Sequence, residues 1–261
     1  MIYISTGLIK NQSAFTTSDY FLNNGITNIE LSGGTFEKNL IKKIKKLKGK
    51  ARFTLHNYFP PPKKPFTLNF ATLDNELFKV CYKHIKNTIR YSNEIGSKVY
   101  SFHAGFLIDP KPKELGKKFV KQKVNNRLLA LNVFIERLNE LSIFAEREGV
   151  SLLVENNVIN KENLNLYKTN PLLMADIRET CFVMQNTPKN VNLLVDVAHL
   201  KVSSKTLKFD DKKFLKDCNK WIKGYHLSDN DGNRDSNGLV RKNSWFWPHI
   251  KKNINYYTLE I

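Results

Sequence analysis

Cysteine is scarce and scattered: the chain has three, Cys81, Cys181 and Cys218, and no C-x-x-C pair. That excludes a disulfide-built scaffold and a thiolate zinc knuckle, and the three read as reduced, partly buried small hydrophobes. Long apolar runs are absent too. Nothing approaches the roughly 18 residues of a membrane span, and the opening MIYISTGL carries no basic segment before its short apolar stretch. A cytoplasmic protein without a membrane partner is expected. Acidic residues are few, 24 against 42 lysines and arginines, for a net charge of +18. Such an excess raises nucleic acid as a partner through counterion release, but its distribution argues otherwise. In KNLIKKIKKLKGK, Ile41, Ile44 and Leu47 recur at helical spacing, so the lysines from Lys42 to Lys50 read as the solvated face of an outer helix. Lys63 and Lys64, after Pro60-Pro61-Pro62, and the stretch from Lys111 to Lys123, after His103, each follow a predicted strand and read as a rim attractive to anions.

What is present is an alternation. Strand-like segments appear at Ile2–Ser5, Asn28–Leu31, Arg52–His56, Lys98–His103, Ser151–Glu155, Asn192–Asp196, Ile222–His226 and Tyr256–Glu260. Helical patterns lie between most of them, notably Leu40–Leu47, Asp74–Ile95, Lys117–Glu148 and Leu172–Gln185. Alternation of this kind implies a parallel sheet, and eight strands imply closure, so one (β/α)8 TIM barrel over 1–261 is expected. Two departures stand out. Asn57–Thr72, NYFPPPKKPFTLNFAT, is too proline-rich for a helix and reads as an extended loop over the barrel mouth, a candidate lid. The sequence also stops one residue after Glu260, so either the helix expected after the eighth strand is missing from it or a partner subunit, as in a homodimer, covers that flank.

In a parallel barrel every strand points its C-terminal end at the same face. Glu155, Asp196, His199, His226 and Glu260 each fall at or just past such an end, and so do His56 and His103. His84 and His249 lie on predicted helices, with surface or local hydrogen-bonding roles. Three carboxylates brought together without a cation would cost several kcal/mol per ion, so Glu155, Asp196, His226 and Glu260 are read as ligands of one divalent metal. Oxygen donors favour Mn2+ or Mg2+, and further imidazoles shift the preference towards Zn2+, Co2+ or Fe2+. No organic cofactor is expected. Tyr58 and Phe59 are placed to stack on a ligand or to pack under the proline loop; Trp245 and Trp247 read as packing residues of a short helix. Asn156 and Asn157 are candidate donors behind Glu155, and Glu30 either faces the pocket or serves as a cap or ion-pair partner. Asp229 and Asp231 suit Asx turns around Gly232, and Gly33-Gly34 a turn.

The segments SFHAGF, LLVENN, LLVDVAHL, GYHLSDNDGNRD and YTLEI, in this order, resemble the xylose-isomerase-like TIM-barrel superfamily across nearly the whole chain. That superfamily holds sugar and sugar-phosphate isomerases and epimerases, and AP endonucleases of the endonuclease IV type. For the first branch the resemblance implies one metal on Glu155, Asp196, His226 and Glu260, with His199 on substrate oxygens. Glu155 and Glu260 then act as catalytic carboxylates that move a proton through a metal-stabilised enediolate. His103, His56, Asp235 and Tyr58 complete the expected contacts to a small sugar or sugar phosphate. For the second branch, whose partner is DNA, it implies a further metal on His56 and His103 with Glu155, and a third held by His199 and an Asp-x-His pair. Here that pair reads Asp235-Ser236-Asn237, so a third ion lacks a nitrogen ligand, and substrate recognition at this loop departs from the common pattern in the first branch also.

Overall fold

The computed structural model describes residues 1–261. Eight parallel strands close into a barrel in chain order: β1 (Ile2–Ser5), β2 (Asn28–Leu31), β3 (Arg52–His56), β4 (Val99–His103), β5 (Ser151–Glu155), β6 (Val191–Asp196), β7 (Ile222–Leu227) and β8 (Tyr257–Leu259). The seam is β1 against β8, with Ile2 opposite Tyr257 and Ile4 opposite Leu259. Eight helices surround it: α1 (Ala14–Asn23), α2 (Leu40–Lys45), α3 (Asn75–Ile95), α4 (Arg127–Arg147), α5 (Lys161–Tyr167), α6 (Ile177–Gln185), α7 (Val197–Leu207) and α8 (Asp211–Asp217). None is long and apolar enough to cross a membrane.

Two apolar layers follow from the two-residue period of a strand. Outward positions such as Leu55, Phe102, Val154 and Tyr257 join a core of 49 buried residues shared with the helices. Inside the barrel, Tyr3, Leu153, Leu194 and Tyr256 form a small separate cluster. It plugs the end away from the site, and Gly224 of β7 is where it needs room. A Cβ there would stand 2.5 Å from Tyr256, 2.7 Å from Leu194 and 2.9 Å from Leu153.

Helix boundaries depart from the sequence pattern where capping decides them. The helix expected from Lys117 starts at Arg127, because the Asn126 side chain accepts from Leu129 N and sets the first turn. The residues before it run extended over the mouth, with Phe119 packed in a satellite cluster with Phe106 and Tyr167. The helix expected from Leu172 starts at Ile177, where Asp176 caps it. Trp245 and Trp247 lie in successive turns rather than in a helix, and Trp247 donates its indole N–H to Arg241 O.

The segment Asn57–Thr72 is fixed at both ends, so as a whole it is not the free lid its prolines suggest. Phe59 and Phe70 are buried, and Thr88 donates to Phe59 O at 2.8 Å. Asn69 is the anchor: its amide donates to Phe106 O, Ile108 O and Asp109, and its carbonyl oxygen accepts from Ala71 N and Phe106 N. The cysteines are free thiols, yet Cys181 on α6 and Cys218 after α8 bring their sulfurs within 3.7 Å, a proximity their spacing in sequence does not reveal.

Candidate metal centre

Glu155 ends β5 at the centre of the site. It is fully buried, and neither carboxylate oxygen has a hydrogen-bond partner. Four imidazoles surround it: His56 Nε2 and His103 Nδ1 each lie 3.4 Å from Oε2, His199 Nδ1 lies 3.4 Å from Oε1, and His226 Nδ1 lies 3.5 Å from Oε1. Burial pushes this carboxyl's pKa up, but the rings of His103, His226 and His56 outweigh it and hold the group well below the usual carboxylate range.

His226, on β7, is placed between two acids. Its Nε2 lies 3.0 Å from Glu30 Oε2, while Nδ1 points into the cluster, 3.3 Å from Glu260 Oε2, with no hydrogen bond. Burial lowers the pKa of the ring; Glu260, Glu30 and Glu155 together raise it well above an ordinary histidine. Glu260 is partly exposed and takes a long contact from Ser5 Oγ at 3.4 Å.

Asp196 ends β6 and begins α7. One oxygen caps the helix by accepting from His199 N at 2.7 Å, and Asn156 grips its backbone from both sides, Oδ1 accepting from Asp196 N and Nδ2 donating to Asp196 O. Burial raises the Asp196 carboxyl to about 7, with Asp235 and Glu155 adding to the rise and His199 opposing it. His56 goes the other way: burial lowers it to about 3, against the pull of Glu155.

Three sets of ligand atoms converge within 4.8 Å: Glu155, Asp196 and His226; His56, His226 and Glu260; and His56, His103 and Glu155. All six candidate ligands singled out from sequence fall in these sets, but the four read there as ligands of one ion are split, Glu155 and Asp196 meeting His226 in one set and Glu260 meeting it in another. The bare oxygens of Glu155 and the bare Nδ1 of His226 are buried polar atoms of the kind that a divalent cation satisfies, and the mixed nitrogen and oxygen set fits such an ion.

The cluster opens into a cavity of about 670 Å3 bordered by His103, His199, Asp235, Tyr58 and Phe66. His199 Nε2 lies 3.1 Å from Asp235 Oδ2, so Asp235 ties its loop to the site. The Tyr58 hydroxyl accepts from Phe66 N at 2.7 Å, which fixes the ring in the wall. His56 lies beneath, buried, rather than on the cavity surface. Lys63 and Lys64 are exposed and do not border the cavity; Lys117, Lys118 and Arg234 do. Phe59 is wholly packing. Asp231 forms an Asx turn, accepting from Asn233 N at 2.8 Å, and Asn230 forms the other, accepting from Gly232 N; Asp229 forms none and instead pairs with Lys201 Nζ at 2.8 Å. Gly34 takes a φ of 106° in its turn. Asn157 binds three carbonyls, of Ala104, Gly105 and Leu173, and is structural. Ser101 and Tyr256, unremarkable in sequence, lie in the polar layer below His56 and Glu30; only the barrel register brings them there.

A family model described as xylose isomerase-like TIM barrel matches residues 21–252. No curated protein matches the chain by sequence. Among solved structures, a D-tagatose 3-epimerase-like protein is 16% identical with a TM-score of 0.69, over 99% of this chain and 89% of its own. The 3-keto-D-glucoside 4-epimerase of E. coli is 14% identical with a TM-score of 0.68, over 98% and 89%. A Thermus thermophilus protein soaked with ZnCl2 is 18% identical with a TM-score of 0.64, over 100% and 91%. At these identities the likeness shows the fold. The family model covers most of the barrel, strands β2 to β7 with their site residues included, and the chain belongs to the xylose isomerase-like TIM barrel family.

Proposed function

We propose that the protein is a divalent-metal-dependent sugar or sugar-phosphate isomerase or epimerase. The observation that carries this reading is that Glu155 and Glu260 face the same imidazole nitrogen, His226 Nδ1, at 3.5 and 3.3 Å. Glu155, Asp196, His226 and Glu260 would hold Mn2+, Mg2+, Co2+ or Zn2+, which when bound would polarise a substrate carbonyl and its neighbouring hydroxyl. Glu155 makes no hydrogen bond and is held as a carboxylate, so it is available to take the proton from the carbon beside that carbonyl. Glu260 is the second carboxylate, available to return a proton. Return to the opposite face gives an epimer, and return to the adjacent carbon interconverts aldose and ketose. His199, oriented by Asp235, and Tyr58 in the wall meet the substrate's hydroxyls. The names of the structural neighbours, a tagatose epimerase-like protein and a ketoglucoside epimerase, support a carbohydrate.

The test is solvent exchange. In D2O, with metal supplied, a panel of free and phosphorylated ketoses is expected to include one that gains deuterium beside its carbonyl, and Glu155→Gln and Glu260→Gln are each expected to lose that exchange. Unchanged turnover in both variants with metal still bound would sink the proton-transfer reading. The His56, His103 and Glu155 group supports a second reading, an AP endonuclease. Nicking of a duplex with one abasic site in Zn2+ or Mn2+ tests it, and no cleavage removes it.

A further inference from the structure

Beneath the imidazole cluster a second polar layer crosses the barrel. Glu30, from β2, is fully buried, and three groups surround its Oε2: the Tyr256 hydroxyl, Thr258 Oγ1 at 2.8 Å and His226 Nε2 at 3.0 Å. The Tyr256 oxygen lies 3.0 Å from Ser101 Oγ, which lies 3.0 Å from His56 Nδ1. His226, Glu30, Tyr256, Ser101 and His56 are therefore one continuous chain of hydrogen bonds, and all five are buried.

One arrangement gives every contact in this chain its proton, and it sends the Ser101 O–H to Tyr256 at 3.0 Å rather than to Leu55 O at 3.4 Å. A carboxylate oxygen accepts and does not donate. Tyr256 must use its single O–H on Glu30, which leaves its oxygen to accept from Ser101. Ser101 then uses its O–H on Tyr256 and accepts from His56, so His56 carries its proton on Nδ1. At the other end His226 donates to the same carboxylate from Nε2. The remaining nitrogens, His56 Nε2 and His226 Nδ1, face Glu155 at 3.4 and 3.5 Å, and both belong to the convergent ligand sets. One ring thus offers Nε2 and the other Nδ1, and a single acceptor sets the polarity that makes both available.

We propose that Glu30 is a positioning residue that fixes which nitrogen two imidazoles keep protonated, His226 Nε2 directly and His56 Nδ1 through Tyr256 and Ser101, so that the nitrogen each turns into the site is the one left to a metal. A carboxylate behind one metal-binding histidine is a common device; here one serves two, across the barrel. The relay stands on hydrogen-bond geometry, while its purpose rests on the metal-centre reading above.

The experiment is long-range 1H–15N correlation of histidine-labelled protein, metal-free at pH 8 and with Zn2+, together with Zn2+ affinity by chelator competition. In the native protein His56 is expected as the Nδ1–H form in both states, and zinc-loaded His226 as Nε2–H. Tyr256→Phe breaks the relay halfway: His56 is expected to become a mixture of tautomers while His226 stays unchanged. Thr258→Val, which touches Glu30 off the relay, is expected to leave His56 as it was. Glu30→Met removes the acceptor and is expected to release both rings and weaken Zn2+ binding roughly 10- to 100-fold; if it does not fold, the Tyr256→Phe result still decides. A native His56 protonated at Nε2, or a Tyr256→Phe protein with His56 still wholly Nδ1–H, would overturn the proposal. Native protein that takes up no Zn2+ while showing the expected His56 tautomer would overturn the metal centre and leave the relay standing.

Discussion

Glu155 Oε1 and His226 Nδ1 stand 3.5 Å apart, both fully buried and neither hydrogen-bonded. Buried polar atoms left without partners cost about 1–3 kcal/mol each, so an ion that satisfies both adds stability as it binds. Zn2+ or Mn2+ at about a hundredfold over its Kd is expected to stabilise the fold by about 2.7 kcal/mol, roughly 5–10 °C in Tm for a chain of this size. Calorimetry with and without metal checks it. Asp196→Ala is expected to lose most of the shift, and elemental analysis of the same two proteins should show the bound ion lost with it.

Gly224 is where the inner cluster closes. Gly224→Ala puts a methyl against Tyr256, Leu194 and Leu153 at 2.5 to 2.9 Å, and overpacking of this kind costs about 1–3 kcal/mol. Urea unfolding should show that loss. Gly33→Ala, with nothing within 4 Å of the new atom, is expected to stay within about 0.5 kcal/mol of the native protein.

His84 lies on α3 under the mouth loop, its ring 5.7 Å from Tyr58 and 5.5 Å from Phe66. Burial lowers it to about 4, against a hydrogen bond at Asn57. In the unfolded chain it titrates near 6.5. As pH falls below 6.5 the unfolded state therefore takes the proton first, and stability is lost down to about pH 4. Between pH 7 and pH 5 the native protein is expected to lose about 2 kcal/mol more than His84→Gln, read from urea midpoints at the two pH values. Equal losses would show that His84 is not held neutral in the fold.

Asp235 is held below the usual carboxylate range by His199, against its own burial, across a 3.1 Å contact at the cavity edge. A charged hydrogen bond of this kind contributes about 1.5–3 kcal/mol. With the substrate that the exchange assay identifies, Asp235→Asn is expected to raise KM about tenfold or more while kcat changes less. A loss confined to kcat would place Asp235 in the chemical step instead.

Much of the barrel was legible because strand ends carry chemistry and strand bodies carry branched or aromatic side chains. The bounds read for β1, β2, β3 and β5 are those observed. Helix starts were not legible where an asparagine or aspartate further along took the cap, as Asn126 and Asp176 do. α1, α5, α7 and α8, of 10, 7, 11 and 7 residues, escaped notice, and length is not the reason, since α2 with 6 and α6 with 9 were read. At the site, Glu155, Asp196, His226, Glu260, His56 and His103 stood out as ionisable groups at strand ends, and the fold gathers them. Glu30 was visible but undecided between pocket and ion pair, because its role depends on which strands lie across the barrel. Ser101 and Tyr256 offered no signal, since a serine and a tyrosine inside strand segments read as packing.

The mouth loop is clamped on both sides by residues that belong to the barrel, Phe59 through Thr88 and Asn69 through the β4–α4 connection. Between these clamps Phe66 N holds the Tyr58 hydroxyl, Thr67 holds Pro110 O and Leu68 joins the core, so the exposed tip Lys63 to Pro65 is the part that behaves as an interchangeable cassette. Its length and side chains can be exchanged with little change to the candidate ligands or the relay below them. The charge presented beside the mouth can then diverge while the strand ends are retained.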